Sequence, residues 1–231
     1  MKNQIIKSNF VYEANHGWLK SRHIFSFAEY FDANNMSFWN MRVFNDDYIA
    51  WNSGFWLHPH SNMEILTILL DGEITHGDNI WNKKTIRSWD LQTMSAGTWI
   101  LHSEENLSND ETHLFQIWFT PLHLWNKPNY RDFKVYLVKN KLNLLASNNK
   151  DDVIWFLDSD VNVYRWQFEK GHSFDYKIEK RRWLFLYVNK WELEIDWEIL
   201  KAWDQIRYTV GWNYNFISKT DSDFVVIDVK I

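Results

Sequence analysis

The feature that most limits the fold of this chain is its succession of short strand-like segments, separated by turn signals about every eight to twelve residues. Residues 64–70 form a largely apolar run that ends at Asp71-Gly72, a dipeptide typical of a tight hairpin. Residues 73–78 then predict the returning strand, whereas residues 1–35 show no sustained helical period. The sequence therefore predicts an all-β fold of the sandwich or barrel type.

The same pattern continues on both sides of this hairpin. Asn45-Asp46-Asp47 is a turn signal, and residues 142–147 are expected to add a short helical turn. The other predicted strands are residues 41–44, 100–104, 112–119, 161–166, 183–188, 192–196 and 224–229.

A boundary between two domains is predicted near the middle of the chain. The 231 residues suffice for one large or two small domains. Pro121 and Pro128 fall in the polar segment 120–135, and such a segment is typical of a domain boundary. We therefore expect an N-terminal domain over residues 1–130 and a C-terminal domain over residues 131–231.

Composition excludes several classes of function. The formal net charge is −5 and no run of Lys or Arg is long enough to suggest otherwise, which argues against general binding to nucleic acid or to an anionic membrane. The chain has no cysteine, so disulfides, thiolate metal sites and cysteine nucleophiles are excluded. The N-terminus lacks the apolar stretch of a signal peptide, and we expect a cytoplasmic protein, acting as a monomer.

Two pairs of metal-ligand residues stand on segments that are predicted to be strands. His58 and His60 are two residues apart, as are His102 and Glu104. Because residues i and i+2 of a strand point to the same face, two such pairs on neighbouring strands would direct their side chains at one point. A site with mixed nitrogen and oxygen ligands suits iron, manganese, copper or nickel. After residue 130 the only histidine is His172, so the C-terminal half cannot repeat this site.

Four other residues have side chains that can bind a metal. His16 and His23 have no partner on the same face beside them, so we expect structural or surface roles. His76 alternates with apolar residues and is expected in a pocket wall or at the surface. Glu64 lies four residues after His60 on the same strand face and competes with Glu104 as the carboxylate ligand.

Several motifs of the chain, taken in order, resemble the pirin family of bicupins, particularly its short bacterial members similar to quercetin 2,3-dioxygenases. The resemblance is specific over residues 10–135 and looser beyond, where it depends on residues 157–166 and the spacing of the last hairpins. Its segments are His16-Gly17-Trp18 through Phe27, Met41-Arg42-Val43, His58-Pro59-His60 through Thr67, Met94-Ser95-Ala96-Gly97, His102-Ser103-Glu104 and Gln116-Ile117-Trp118.

The resemblance implies two tandem cupin barrels, each a double-stranded β-helix or jelly roll, with a metal site in the N-terminal barrel alone. The residues that match the family's ligands are His58, His60, His102 and Glu104, which favours Glu104 over Glu64. One divalent ion is implied. Fe(II) is the expected ion, with manganese, copper, nickel, cobalt and zinc as alternatives.

The activity implied by the resemblance is a metal-dependent dioxygenase that opens flavonols such as quercetin with O₂ and releases carbon monoxide. Glu104 would be the general base that takes the proton of the substrate hydroxyl, kept ionised by the charge of the metal. The partners would be a small aromatic molecule and O₂, with no nucleic acid bound directly and no membrane. Two alternatives remain: a metal-dependent partner of transcription regulators, and a cupin that acts on another substrate. The acidic chain without a basic stripe favours the enzyme.

The tryptophans of this chain are unusual in number and position. The chain has 16 tryptophans and only 7 glycines, and many tryptophans stand where a tight turn requires glycine, as in Asp196-Trp197. In pirin-like sequences six of these positions are typically glycine, whereas Trp18 and Trp118 match family tryptophans. Our hypothesis is that UGA codons, read as glycine in the source organism, are shown here as tryptophan; the alternative is a genuine tryptophan-rich variant. The six positions are Trp56, Trp81, Trp89, Trp99, Trp191 and Trp197.

Overall fold

The computed structural model describes residues 3–149 and 156–231. Apart from one short 3-10 helix (Ser8–Phe10), its regular elements are all strands, which confirms the all-β prediction. No helix within these two ranges is long and apolar enough to cross a membrane.

The strands are numbered in chain order. The first part of the chain forms β1 (Asn3–Ile6), β2 (Tyr12–Asn15), β3 (Leu19–His23), β4 (Met41–Ile49), β5 (Ser53–His60), β6 (Glu64–Asp71), β7 (Glu73–Asp78), β8 (Lys83–Arg87), β9 (Asp90–Ser95), β10 (Ile100–Asn106), β11 (Thr112–Phe119) and β12 (Asn129–Lys134). The remainder forms β13 (Leu142–Ser147), β14 (Val161–Phe168), β15 (Ser173–Lys177), β16 (Arg182–Lys190), β17 (Glu192–Ile195), β18 (Glu198–Lys201), β19 (Gln205–Tyr208), β20 (Asn213–Ser218) and β21 (Ser222–Lys230).

The chain divides into two compact units. The first unit consists of residues 12–136 and 157–159, and the second consists of the described residues of 1–11, 137–156 and 160–231. The boundary predicted after residue 130 lies inside β12, which pairs with β9 of the first unit. The first eleven residues group with the second unit, where β1 pairs with β19. That each unit folds as an independent domain stays a prediction.

The first unit contains a large and a small antiparallel sheet. The large sheet has the strand order β12-β9-β6-β11-β4-β3-β2, and the small sheet has the order β5-β10-β7-β8. Leu19, Ile49 and Leu69 of the large sheet form a core with Ile74 and Ile86 of the small sheet. The two sheets therefore pack face to face, as in the expected jelly roll.

The second unit repeats this arrangement. Its sheets have the orders β1-β19-β16-β21-β14-β13 and β15-β20-β17-β18. One continuous core joins them and includes Trp166, Phe216 and Phe224, all fully buried. The two tandem cupin-type barrels that we expected are therefore confirmed.

Two predictions of local secondary structure are wrong. Asn45-Asp46-Asp47 is not a turn, because β4 continues through it to Ile49 and pairs with β11. Residues 142–147 are not helical, because β13 pairs with β14 at the edge of a sheet. In both places strand pairing overrides the local preference of the residues.

The tight turn predicted at Asp71-Gly72 is present, but the predicted hairpin is wrong. β6 pairs with β9 and β11 of the large sheet, whereas β7 pairs with β8 and β10 of the small sheet, so the turn passes the chain from one sheet to the other. Gly72 has a φ of +78°, a left-handed conformation that glycine adopts without strain.

Tryptophan occupies several positions that have this same left-handed conformation. Of the six positions of the recoding hypothesis, Trp81, Trp89, Trp191 and Trp197 have positive φ, as the turns predicted, whereas Trp99 does not and Trp56 lies within β5. The ring of Trp81 is 95% exposed. The recoding hypothesis also predicts that Trp18 and Trp118, as genuine tryptophans, are well buried, and this is wrong because both are half-buried. The tryptophans with positive φ are Trp39 (+56°), Trp81 (+75°), Trp89 (+76°), Trp125 (+64°), Trp191 (+66°), Trp197 (+71°) and Trp203 (+70°).

Candidate metal centre

Three histidines of the first unit converge on one point. His58 and His60 lie on β5, and His102 lies directly opposite His58 on β10. Each of the three offers a ring nitrogen, and these nitrogens all lie within 4.8 Å of one another. Their ring centroids are 4.4–5.0 Å apart. Among the described residues no other group of three or more His, Asp or Glu side chains converges in this way.

The nitrogens of this triad are free to bind a metal. The Nδ1 of His58 lies 2.6 Å from the carbonyl oxygen of Trp56 and donates to it, because a carbonyl only accepts. This bond fixes the tautomer in which Nε2 of His58 carries the lone pair. His60 Nε2 and both ring nitrogens of His102 are buried without a hydrogen-bond partner. Buried nitrogens without partners are unfavourable unless an ion occupies the point between them, so the triad fits a divalent metal.

Burial also keeps the imidazoles of His60 and His102 neutral. It lowers the pKa of His60 to about 4, with a further contribution from neighbouring His58. The pKa of His102 is lowered more strongly, first by burial and then by His58 and His60. Both rings are therefore neutral near pH 7, which is the form that binds metals.

Glu104 lies on β10 two residues after His102 and lines the same cavity. Its carboxylate is fully buried and accepts hydrogen bonds from the side chains of Gln92, Gln116 and Thr67. The bond from Gln116 Nε2 is 2.7 Å long. Burial raises the pKa of Glu104 to about 7 in spite of these three donors. A nearby cation would lower this pKa. Its role as a fourth ligand stays a prediction.

Two residues that hold Glu104 were not predicted from the sequence. Gln92 and Gln116 lie in the buried strands β9 and β11, among largely apolar neighbours. A polar amide in such a strand is the signal that could have identified them, because a buried amide requires a partner.

A cavity of about 370 Å³ opens beside the three histidines. This is large enough for a small molecule. Its walls are mainly aromatic, from Trp18, Phe27, Phe55, Trp56 and Trp118. Asn45 and Asp47 of β4 also line it, and burial raises the pKa of Asp47 to about 7.

Glu64 lies outside the residues that line this cavity. Its carboxylate accepts a hydrogen bond of 2.8 Å from the Ser95 hydroxyl and one of 3.2 Å from the Asp158 backbone N–H. Burial raises the pKa of Glu64 to about 7. The side chain therefore connects segments of the first unit.

His76, His23 and His16 contact other side chains and do not belong to the triad. His76 is fully buried, with Nε2 2.8 Å from an Asp78 oxygen and its ring stacked on Tyr130, so a surface position is wrong. Its ring centroid is 5.4 Å from that of His102, so it lies next to one member of the triad. His23 is buried among aromatic rings, and His16 pairs with Glu29 at the surface.

A cupin barrel with a histidine triad facing a cavity is the architecture of a metal-dependent cupin. The chain belongs to the pirin family: residues 6–119 match Pirin, and residues 144–229 match the quercetinase C-terminal cupin domain.

Two relatives illustrate this membership over almost the whole chain. The chain is 37% identical over 230 residues to a quercetin 2,3-dioxygenase of Escherichia coli K12, covering 96% of each protein. It is 38% identical over 218 residues to a pirin-like protein of Caulobacter vibrioides, covering 93% of this chain and 94% of that protein.

The solved structures agree with this assignment. YhhW from Escherichia coli superposes with a TM-score of 0.94 at 34% identity, covering 98% of this chain and 97% of that one. Bacterial pirin YhhW in complex with nickel(II) gives a TM-score of 0.92 at 34% identity, covering 99% of both chains. A metal-binding cupin is thus supported by the fold, by the triad and by a nickel-bound relative.

Proposed function

We propose that this protein is a dioxygenase that opens flavonols such as quercetin with O₂, using Fe(II) held by His58, His60, His102 and Glu104. The observation that carries the proposal is the histidine triad, whose free nitrogens lie beside a cavity of about 370 Å³ with aromatic walls. The name of the Escherichia coli relative, a quercetin 2,3-dioxygenase, supports the substrate class.

The metal, when bound, supplies a Lewis-acidic and redox-active centre at which a hydroxy-ketone and O₂ can meet. His60 and His102 would supply neutral nitrogen ligands, because burial lowers the pKa of both. His58 is oriented by the carbonyl oxygen of Trp56, so its ligand nitrogen is fixed before binding.

The proton of the substrate hydroxyl would pass to the Glu104 carboxylate. Burial raises the pKa of Glu104 to about 7, and the charge of a bound metal would lower it again, so the carboxylate is ionised near neutral pH and can accept the proton. Gln116 and Gln92 donate to its two oxygens and hold the carboxylate in position. Glu104 is therefore our candidate general base.

The aromatic walls would bind and shield the rings of the substrate. Phe27 and Trp118 pack edge to face with their ring centroids 5.4 Å apart, and Trp18 and Phe55 do the same with centroids 5.3 Å apart. Flat apolar walls of this kind fit a planar aromatic molecule and keep water away from it.

The test is the decay of flavonol absorbance in air with purified, iron-loaded protein. We expect quercetin to be consumed with release of carbon monoxide, and the His60→Ala variant to be inactive. Quercetin that stays unchanged with fully iron-loaded protein would contradict the proposal and favour a regulatory protein or a cupin with another substrate. The monomeric state and the cytoplasmic localisation expected from the sequence stay predictions.

A further inference from the structure

One wall of the cavity is formed by three residues that each carry a buried polar atom without a hydrogen-bond partner. The wall consists of Asn45 and Asp47 on β4 and Trp118 on β11, and we call it the polar wall. Asn45 and Asp47 are two residues apart and line the cavity together. Asp46 between them pairs instead with His113, at 2.6 Å.

Three atoms of the polar wall are buried without a hydrogen-bond partner: Asn45 Oδ1, Asp47 Oδ1 and Trp118 Nε1. The Asn45 and Asp47 residues are only 3% and 1% exposed. Leaving a buried polar atom unpaired is unfavourable, so each of these three atoms would gain from a hydrogen-bond partner. The three residues that carry these atoms line a cavity large enough for a ligand, and a ligand bound there can supply the missing partners.

The chemistry of these atoms describes that ligand. Asn45 Oδ1 is an acceptor, an ionised Asp47 carboxylate only accepts, and Trp118 Nε1 only donates. Two acceptors and one donor match neighbouring phenolic hydroxyls, each of which can donate one hydrogen bond and accept another. The ring of Trp118 also lies 4.7 Å from that of His60, so the polar wall adjoins the metal ligands.

We propose that the polar wall binds the hydroxyl groups of an aromatic ring of the substrate, and that Asp47 and Trp118 select hydroxylated substrates over bare ones. This inference rests on the proposed function, because it assumes that a flavonol occupies the cavity. Asp47 and Trp118 act here as binding and specificity residues. A site built to bond a hydroxyl rejects an analogue that lacks it, since its own polar atoms are then left unpaired.

The experiment compares two flavonols that share the chelating hydroxy-ketone. Quercetin carries further hydroxyl groups on its rings, whereas 3-hydroxyflavone has no hydroxyl other than that of the chelating hydroxy-ketone. Binding of each to nickel-loaded protein is measured by absorbance titration without oxygen, so that no turnover occurs. We expect the parent protein to bind quercetin at least about tenfold more tightly than 3-hydroxyflavone.

Two variants test the polar wall independently. Asp47→Asn removes the charge at almost constant volume, and Trp118→Phe removes the indole N–H but keeps an aromatic ring. Each should lower the preference for quercetin by about tenfold and leave the affinity for 3-hydroxyflavone nearly unchanged. Glu64→Gln is the matched control, because it neutralises another buried carboxyl of the same unit outside the cavity lining. Its preference should equal that of the parent.

The outcomes separate this inference from the proposed function. A parent that binds neither flavonol would overturn both. A parent that binds both flavonols, with an unchanged preference in a folded Asp47→Asn or Trp118→Phe variant, would overturn the polar wall alone. Equal losses for both flavonols would also overturn it, since they indicate a merely structural role.

Discussion

The two units share one architecture but differ in what lies between their sheets. In the first unit the space holds three histidines, buried polar side chains and a cavity of about 370 Å³. In the second unit the corresponding space is filled by aromatic rings. Trp166 is fully buried there and packs against Phe216 and Phe224, with ring centroids 5.6 Å and 5.0 Å away.

The difference shows how one scaffold can serve either chemistry or packing. Inward positions of the first unit carry polar groups such as Asp47, Gln116 and Glu104, whose burial is unfavourable unless they are bonded. Inward positions of the second unit carry Trp166 and Phe224, whose burial is favourable. We infer that the first unit gives up stability for its site, whereas the second has a fully packed core.

The largest effect is expected at the carboxylate of the first unit. Glu104→Gln should lower turnover of quercetin by about 10²- to 10⁴-fold, because an amide cannot take the proton of the substrate. The variant should retain most of its metal, since the three histidines remain. Metal content and steady-state rate are measured on the same sample. Glu64→Gln is the control, and equal activity of Glu104→Gln and the parent would remove Glu104 from the mechanism.

A large effect on stability is expected in the core of the second unit. Trp166→Ala should lower the free energy of unfolding by about 3–5 kcal/mol, because it empties a packed space. Phe27→Ala in the first unit should have a smaller effect, since Phe27 lines the cavity and is half-buried. Urea unfolding measures both. Similar losses in the two variants would contradict the contrast between a packed and an open interior.

The buried carboxyls of the first unit predict a dependence of stability on pH. Burial raises the pKa of Glu64 to about 7, above its ordinary value of 4.5. The stability that this group contributes is therefore complete below about pH 4.5 and is lost as the pH rises through about 7. Glu64→Gln should reduce that loss, by on the order of 1–3 kcal/mol at pH 8. The same substitution at exposed Glu198 should leave the pH profile of unfolding unchanged, and identical profiles in all three proteins would contradict the prediction.

The smallest effect concerns turns, in which the two units are alike. Left-handed backbone strains a bulky residue by about 1–2 kcal/mol, so Trp81→Gly in the first unit and Trp197→Gly in the second should each stabilise by about 1 kcal/mol. Trp183→Gly, on strand β16 without positive φ, should instead destabilise. The thermal unfolding midpoints of the three variants are compared with that of the parent. Destabilisation by Trp81→Gly and Trp197→Gly as well as by Trp183→Gly would contradict the proposed backbone strain.

The gene tests where these tryptophans come from. If UGA is read as glycine in the source organism, the codons of Trp56, Trp81, Trp89, Trp99, Trp191 and Trp197 are UGA, and those of Trp18 and Trp118 are UGG. UGG codons at the six positions would end the recoding hypothesis. With UGA there, the protein has a glycine at position 56, where an exposed tryptophan lines the cavity.

The sequence was sufficient where one rule determines the geometry. The alternation of strand side chains was enough to predict that His58, His60 and His102 converge on one point. The Asp-Gly dipeptide likewise predicted the tight turn between β6 and β7, although not that the two strands join different sheets.

Sequence reasoning failed at positions where a residue contributes to the candidate site and its local structural preference differs from the observed structure. Asn45 and Asp47 favour turns locally, yet they lie within β4 and line the cavity. The bonds from Gln92 and Gln116 to Glu104 join separate strands, so no local pattern could specify them. Local rules are expected to fail at functional positions, because function there opposes the ordinary preference.

The most direct test of the contrast between the units is the metal content of the protein purified without chelator. We predict one divalent ion per chain in the parent and in the second-unit variant His172→Ala. The triple variant of His58, His60 and His102 to alanine should hold none, while keeping the β-sheet circular dichroism of the parent. Two ions per chain, or an ion retained by a folded triple variant, would contradict the account of one metal site located in the first unit.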